Sequence, residues 1–254
     1  MTLALSQLAL HEGRFEPHDA VGVVEWAVRT YGADLRIACS GSIEDSVVVA
    51  LAARAAQAHG VLPRVFILDT GRLHPETYEV TERLRERYAL PVDIYFPQHE
   101  AVEQMVSTRG PNAMYRSLED RHACCDTRKV EPLRRALAGS QAWLTGMRRA
   151  QSLTRSALAR FAIDDAGRVK LAPLALWEDE RVWAVAQELD AVVHPLHERG
   201  YPQIGCAPCT RAVAPGEDAR AGRWWWEDAT QKECGLHDNP KRLAHLASQK
   251  NGSS

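Results

Sequence analysis

Leu35-Arg36-Ile37-Ala38-Cys39-Ser40-Gly41-Ser42-Ile43-Glu44-Asp45-Ser46 reads as a short apolar strand running into a small polar loop, and a long helical stretch over 47–59 follows it. An apolar run bounded by turn residues is a buried strand. Strand, small-residue loop and helix together present backbone N–H groups and a helix N-terminus to an anion. Neither a GxGxxG nor a Walker A pattern occurs here, so this loop alone is as consistent with a plain turn and N-cap as with a phosphate cradle. Cys39, at the strand's end, reads as a small buried apolar residue.

Outward from this unit the theme repeats. Residues 65–68 form a second strand, ended by Asp69-Thr70-Gly71, and a helix opens at His74-Pro75 and runs to Tyr88. Proline suits a first helical turn, where its missing N–H costs nothing. A third strand is expected over 92–96 with a helix over 99–107, a fourth strand over 142–145, and a fifth over 170–174. A helix over 177–189 should bury Val182, Trp183 and Leu189, and residues 1–34 form a helical lead-in with a weak stripe of Val23, Val24, Ala27 and Val28. Strands alternating with helices predict an α/β fold, a mostly parallel sheet flanked by helices with right-handed crossovers. Such sheets bind ligands at the carboxyl ends of their strands. Asp69 there is either a ligand-facing group or a cap. Arg148 and Arg149, just after the fourth strand, are well placed for a phosphate or sulfate, because guanidinium offers a planar fork of donors.

Between Gly110 and Asp126 the pattern breaks down and a cysteine pair appears, in His122-Ala123-Cys124-Cys125-Asp126. A second pair lies far downstream, in Gly205-Cys206-Ala207-Pro208-Cys209. Four thiols suit tetrahedral zinc or a [4Fe-4S] cluster. Zinc sites usually space their thiols by two to four residues, so the adjacent pair favours the wider cluster, whose separate irons neighbouring cysteines can reach. Lys129, close behind Cys125, either offsets thiolate charge or lies on a solvated helix face. His194 and His197, in a Pro-containing turn, are more simply read as a satisfied turn than as metal ligands.

The chain has 254 residues, 45% of them hydrophobic, and a formal net charge of −2. That size supports one large domain or a domain with an appendage, and the charge argues against general nucleic-acid binding. Residues 1–10 lack a basic n-region and a long apolar core, and no apolar run of about twenty residues could span a bilayer, so a cytoplasmic protein is expected. In that reducing compartment clustered cysteines are more often ligands or catalysts than disulfides. After Cys209 the composition shifts. Arg220, Arg223 and Trp224-Trp225-Trp226 are followed by Glu233-Cys234-Gly235-Leu236-His237. Three consecutive tryptophans cannot all be buried in a tail, so some should cover a ligand or a partner. Cys234, in a polar Gly-containing segment, has the setting of a reactive thiol.

These residues carry a resemblance. The chain resembles the thioredoxin-dependent adenylyl-sulfate reductases of sulfate assimilation, within the wider phosphoadenylyl-sulfate reductase family, from about Leu35 to His237. The matching segments are Leu68-Asp69-Thr70-Gly71-Arg72-Leu73-His74, Cys124-Cys125 with Arg128-Lys129-Val130, Thr145-Gly146-Met147-Arg148-Arg149, Gly205-Cys206-Ala207-Pro208-Cys209, Arg223-Trp224-Trp225-Trp226-Glu227 and Glu233-Cys234-Gly235-Leu236-His237. A Cys-Cys pair, a CxxC pair and a C-terminal ECGLH together form a highly specific combination.

The resemblance implies an adenine nucleotide α-hydrolase-like, Rossmann-like fold with a modified pyrophosphate loop, which Ser40, Gly41, Ser42, Asp45 and Ser46 match loosely. It divides the chain into a nucleotide-binding domain with an iron–sulfur cluster (1–212) and a mobile C-terminal segment carrying the catalytic cysteine (213–254). It implies one [4Fe-4S] cluster on Cys124, Cys125, Cys206 and Cys209, and Cys234 as nucleophile. Asp69, Thr70, Gly71, Lys129, Arg148, Arg149, Arg220, Arg223 and His237 are then expected at the substrate. The implied reaction converts adenylyl sulfate to sulfite and AMP through a Cys234 S-sulfonate, with thioredoxin or a glutaredoxin-like protein as reductant. Neither nucleic acid nor membrane is an expected partner, and homo-oligomerisation is left open. Alternatives are reduction of the 3′-phosphorylated nucleotide, an ATP pyrophosphatase or sulfurtransferase on the same fold with Cys234 as persulfide carrier, and a non-enzymatic iron–sulfur sensor that binds through its tryptophans.

Overall fold

The structure is a computed structural model and describes residues 5–152 and 155–228. Its centre is the strand quoted first, β1 (Leu35–Ala38): Leu35 and Ile37 are buried in the main core on one face of the sheet, and Ala38 packs against Phe66 and Trp143 on the other. The other strands are β2 (Arg64–Leu68), β3 (Val92–Tyr95), β4 (Ala142–Leu144), β5 (Phe161–Ile163) and β6 (Val169–Leu171), in the order β3-β2-β1-β4-β6-β5. Pairing is parallel except between β5 and β6. The order reverses at β1, where the chain leaves β2 and β3 on one side and β4 on the other. That reversal opens a crevice beyond the strands' carboxyl ends. The expected mostly parallel α/β sheet is therefore found.

The helices cover both faces. They are α1 (Leu5–Glu12), α2 (Ala20–Tyr31), α3 (Ile43–His59), α4 (Pro75–Arg87), α5 (His99–Arg109), α6 (Leu118–Cys125), α7 (Glu131–Ala136) and α8 (Asp179–Glu188). The α2 stripe of Val23, Val24, Ala27 and Val28 is wholly buried against β1 and α3. Val182 of α8 joins the same core, as expected, but Trp183 does not. It is 43% exposed and packs edge-on against His197. Neighbouring helical residues lie about 100° apart, and on α8 Val182 takes the inward position while Trp183 falls at the edge of the buried face.

Three further differences from the sequence reading have local causes. Helix α3 begins at Ile43 rather than Val47, with Ser42 extended at its N-cap position and Glu44 and Asp45 in its first turn, where acidic groups suit the helix dipole. Strand β5 was not anticipated, being only three residues long and paired antiparallel at the sheet edge. The stretch from Gly110 to Asp126 is not irregular throughout, since it contains α6. The side chain of Ser117 caps that helix by accepting from the Asp120 N–H, and the helix buries Arg121 and Cys125 rather than an apolar stripe. One π-helical turn, Asp126–Val130, joins α6 to α7. Among the described residues no helix is long and apolar enough to cross a membrane.

The lead-in is tied down by Arg160. Its buried guanidinium donates to the carbonyls of Glu12, Phe15, Glu16 and Pro17. Charged donors make stronger hydrogen bonds than neutral ones, and their loss leaves those carbonyls unsatisfied. We expect Arg160→Ala to lower the unfolding free energy by about 3 kcal/mol, read from urea denaturation.

Candidate functional site

A cavity of about 190 Å³ opens in the crevice at the carboxyl ends of β1, β2 and β4. Its apolar part is formed by Ala38, Phe66, Leu68, Leu133 and Trp143, which suits the face of a base. Its polar end carries Ser40, Ser42, Lys129, Arg155, Arg220 and Arg223, which suits an anion.

The loop after β1 is held by one carboxylate. Asp45 accepts the Ser40 N–H (2.8 Å) and the Ser40 hydroxyl (2.6 Å) on one oxygen, and the Gly146 N–H (3.0 Å) on the other. Asp45 therefore pins the β1 loop to the loop after β4. Burial pushes its carboxyl upward, and the hydrogen bonds from Ser40 and Gly146 oppose that shift. Gly146 is required by close approach, since a Cβ there would lie 2.5 Å from Asp45 Oδ1.

The expected substrate residues divide. Ser40, Ser42, Asp45, Lys129, Arg220 and Arg223 line the cavity, whereas Gly41, Ser46, Asp69, Thr70, Gly71, Arg148 and Arg149 do not. Asp69 caps its own turn, accepting from the Gly71 N–H (2.8 Å) and the Tyr78 hydroxyl. Thr70 turns toward the cysteines, with Oγ1 3.3 Å from Cys206 Sγ. Arg148 is buried and engaged by Glu44 (2.8 Å), the Trp177 carbonyl (2.9 Å) and Asp179. The exposed Arg149 donates to the Leu158 carbonyl. Sequence reasoning missed Glu44, Gln151 and Arg155. Gln151 donates to Glu44 (2.9 Å) and, with Arg155, lines the cavity. Their place just past a strand's carboxyl end was the available signal. Cys234 and His237 lie outside the described residues. Cys39 is buried in the main core, and burial raises its thiol. His194 accepts from the Leu196 N–H and bonds Thr77, and burial lowers it to about 4, which fits the reading of a satisfied turn.

A second cavity, of about 20 Å³, is bordered by Cys124, Cys125, Cys206 and Cys209. All four thiols are free of disulfides. They form a small apolar cluster with Met114, Trp224 and Trp226, separate from the main core. Burial would raise Cys206, but Lys129, the Thr70 hydroxyl and Arg223 outweigh it and hold the thiol below its usual value. Burial and the neighbouring Cys206 push Cys209 up to about 11, and burial also raises Cys124. Among the described residues no group of three or more His, Cys, Asp or Glu is arranged to hold a metal ion. The donor set of four thiols around one cavity, bordered by Arg72, Arg121, Arg128, Lys129 and Arg223, fits a thiolate-bound, negatively charged polynuclear group.

The two cavities share a wall of Lys129, Arg223 and Trp224. Arg223 lies 4.4 Å over the Trp224 ring, and its guanidinium rests on Gly205, where a Cβ would meet Arg223 Nη1 at 1.6 Å. Trp224 is the buried member of the tryptophan run, and Trp225 remains exposed.

Fold and site together define a nucleotide-binding α/β protein with an adjoining four-thiol centre. The chain belongs to the phosphoadenosine phosphosulfate reductase family, whose domain model matches residues 34–212. It is 54% identical over 179 residues to the adenosine 5′-phosphosulfate reductase of Burkholderia cepacia, covering 70% of this chain and 72% of that one. It is 44% identical over 223 residues to the enzyme of the same name from Pseudomonas aeruginosa, covering 85% and 80%. In fold it resembles the crystal structure of phosphoadenylyl-sulfate reductase from Candida auris, with a TM-score of 0.68 at 23% identity, covering 84% of this chain and 99% of that one.

The contrast between the paired arginines is testable. Arg148→Ala should cost about 3–5 kcal/mol of stability, because it leaves Glu44 buried without its cation. Arg149→Ala should stay within about 0.5 kcal/mol. Urea unfolding of both variants checks the pair.

Proposed function

We propose that this chain reduces adenylyl sulfate to sulfite and AMP, with Cys234 as nucleophile and thioredoxin or a glutaredoxin-like dithiol protein as reductant. The observation that carries the proposal is a cavity lined both by apolar groups that suit a base and by Lys129, Arg155, Arg220 and Arg223, where Lys129 and Arg223 also border the four thiols. The names of the relatives support the substrate.

The chemistry follows from the charges. The Cys234 thiolate attacks the sulfur of the sulfate group, the bond from sulfur to the bridging oxygen breaks, and AMP departs with that oxygen. The product on the enzyme is a Cys234 S-sulfonate. A thiolate of the reductant then attacks Cys234 Sγ, and sulfite leaves with the electron pair of the S–S bond. The second thiol of the reductant resolves the mixed disulfide and returns Cys234 to the thiolate. Covalent catalysis thus divides one hard step into easier ones, and exchange of this kind needs an accessible sulfur. Both the nucleophile and the substrate are anionic. Lys129, Arg220 and Arg223 offset that repulsion and stabilise charge on the departing phosphate. His237 joins them in this reading.

Cys124, Cys125, Cys206 and Cys209 would hold one [4Fe-4S] cluster, which when bound supplies a compact charged body that fixes the two cysteine segments beside the cation wall. Four thiols border one cavity, and the adjacency of Cys124 and Cys125, which zinc sites seldom use, favours the cluster over zinc in this reading.

The test is sulfite and AMP formation from adenylyl sulfate and from its 3′-phosphorylated relative, each with and without thioredoxin. We expect sulfite from adenylyl sulfate only when thioredoxin is present. Cys234→Ser should lose turnover by at least ~10³-fold while the protein keeps its brown colour. Release of pyrophosphate from ATP with no sulfite from either nucleotide would overturn the assignment.

A further inference from the structure

Arg121 heads the fully buried large side chains, and a charged group so placed requires a partner. It has two. Its Nε donates to Glu227 Oε1 at 2.8 Å, a pair in which neither side chain is more than 7% exposed. Its guanidinium also stacks on the Trp224 ring at 4.7 Å. Arg223 lies 4.4 Å from the same ring and Arg220 lies 6.0 Å from it. Trp224 therefore carries three guanidinium groups, and its backbone has a φ of 40°, a left-handed value that tryptophan rarely adopts. The surroundings must over-determine that conformation for it to persist. They do so at both ends of the segment. The Trp224 N–H donates to the Cys209 carbonyl, Arg223 bridges to Thr210, and Glu227 is locked to α6 through Arg121.

We propose that Arg121 is a positioning residue for the anion-binding end of the large cavity. Stacked on Trp224 and locked by Glu227, it holds that ring in place, and the ring in turn sets Arg223 and Arg220. It does not line the large cavity, whose lining includes Arg220, Arg223 and Trp224, and it borders the four-thiol cavity instead. Because Arg121 shares α6 with Cys124 and Cys125, the four-thiol centre and the cation wall are registered by one helix. A guanidinium is needed for this, as its planar face stacks on an aromatic ring while its edge hydrogen-bonds, and an ammonium cannot do both. The inference rests on reading the cavity as the site of a sulfated adenine nucleotide.

The test uses adenosine and AMP, which differ only in the anionic group, with binding to the anaerobically purified protein measured by calorimetry. Arg121→Lys should weaken AMP about tenfold, or about 1.4 kcal/mol, and leave adenosine unchanged. In an Arg220→Ala/Arg223→Ala background the same substitution should cost AMP less than about twofold, because its effect passes through those two arginines. Equal weakening of both ligands would mean general loosening and would overturn the proposal. So would the full loss of AMP affinity added to that of the Arg220→Ala/Arg223→Ala pair, or no loss at all. If the unaltered protein bound neither ligand, the nucleotide reading itself would fall and this inference with it. If the unaltered protein bound AMP normally and Arg121→Lys did too, only this inference would fall.

Discussion

The structure depends on one partition, the wall of Lys129, Arg223 and Trp224 between the larger cavity and the four-thiol cavity. Two anionic bodies, a sulfated nucleotide and a group held by thiolates, would repel one another across a short distance unless cations stood between them. In a buried setting that repulsion is worth far more than in water. The same cations hold Cys206 below the usual thiol range despite its burial. One set of positive charges therefore serves both sides, so the sites cannot be disturbed independently.

The sheet exists to bring those groups together. Its order reverses at β1, so the loops after β1 and β4 meet, and Asp45 joins them through Ser40 and Gly146. Further hydrogen bonds align the thiol segments with the loop after β2, from the Ala207 N–H to the Arg72 carbonyl and from Arg128 to the Thr70 carbonyl. Two cysteine pairs far apart in sequence thus meet against a strand end that belongs to neither.

Much of this could be read from the sequence because it rests on local pattern. Apolar runs ending in small polar loops mark β1, β2 and β4, and the spacing of the thiol pairs marks the centre. What could not be read depends on distant partners. Arg148 and Arg149 look alike in sequence, yet only Arg148 meets a buried acid, Glu44, 104 residues away. Helix α6 is hard to recognise because the large group it buries is an arginine, whose partners Trp224 and Glu227 lie about a hundred residues downstream. Strand β5 is too short to declare itself. The tryptophan run is ambiguous for the same reason, since only its backbone path turns Trp224 inward and leaves Trp225 at the surface.

The claim on which the account most depends is that the four thiols hold a polynuclear iron centre beside the nucleotide. Iron, zinc and acid-labile sulfide in anaerobically purified protein measure it directly. The account predicts about four irons and about four sulfides per chain, with no stoichiometric zinc, in a brown protein. One tightly held zinc in a colourless protein, or no metal with the four thiols free to alkylate, would contradict it.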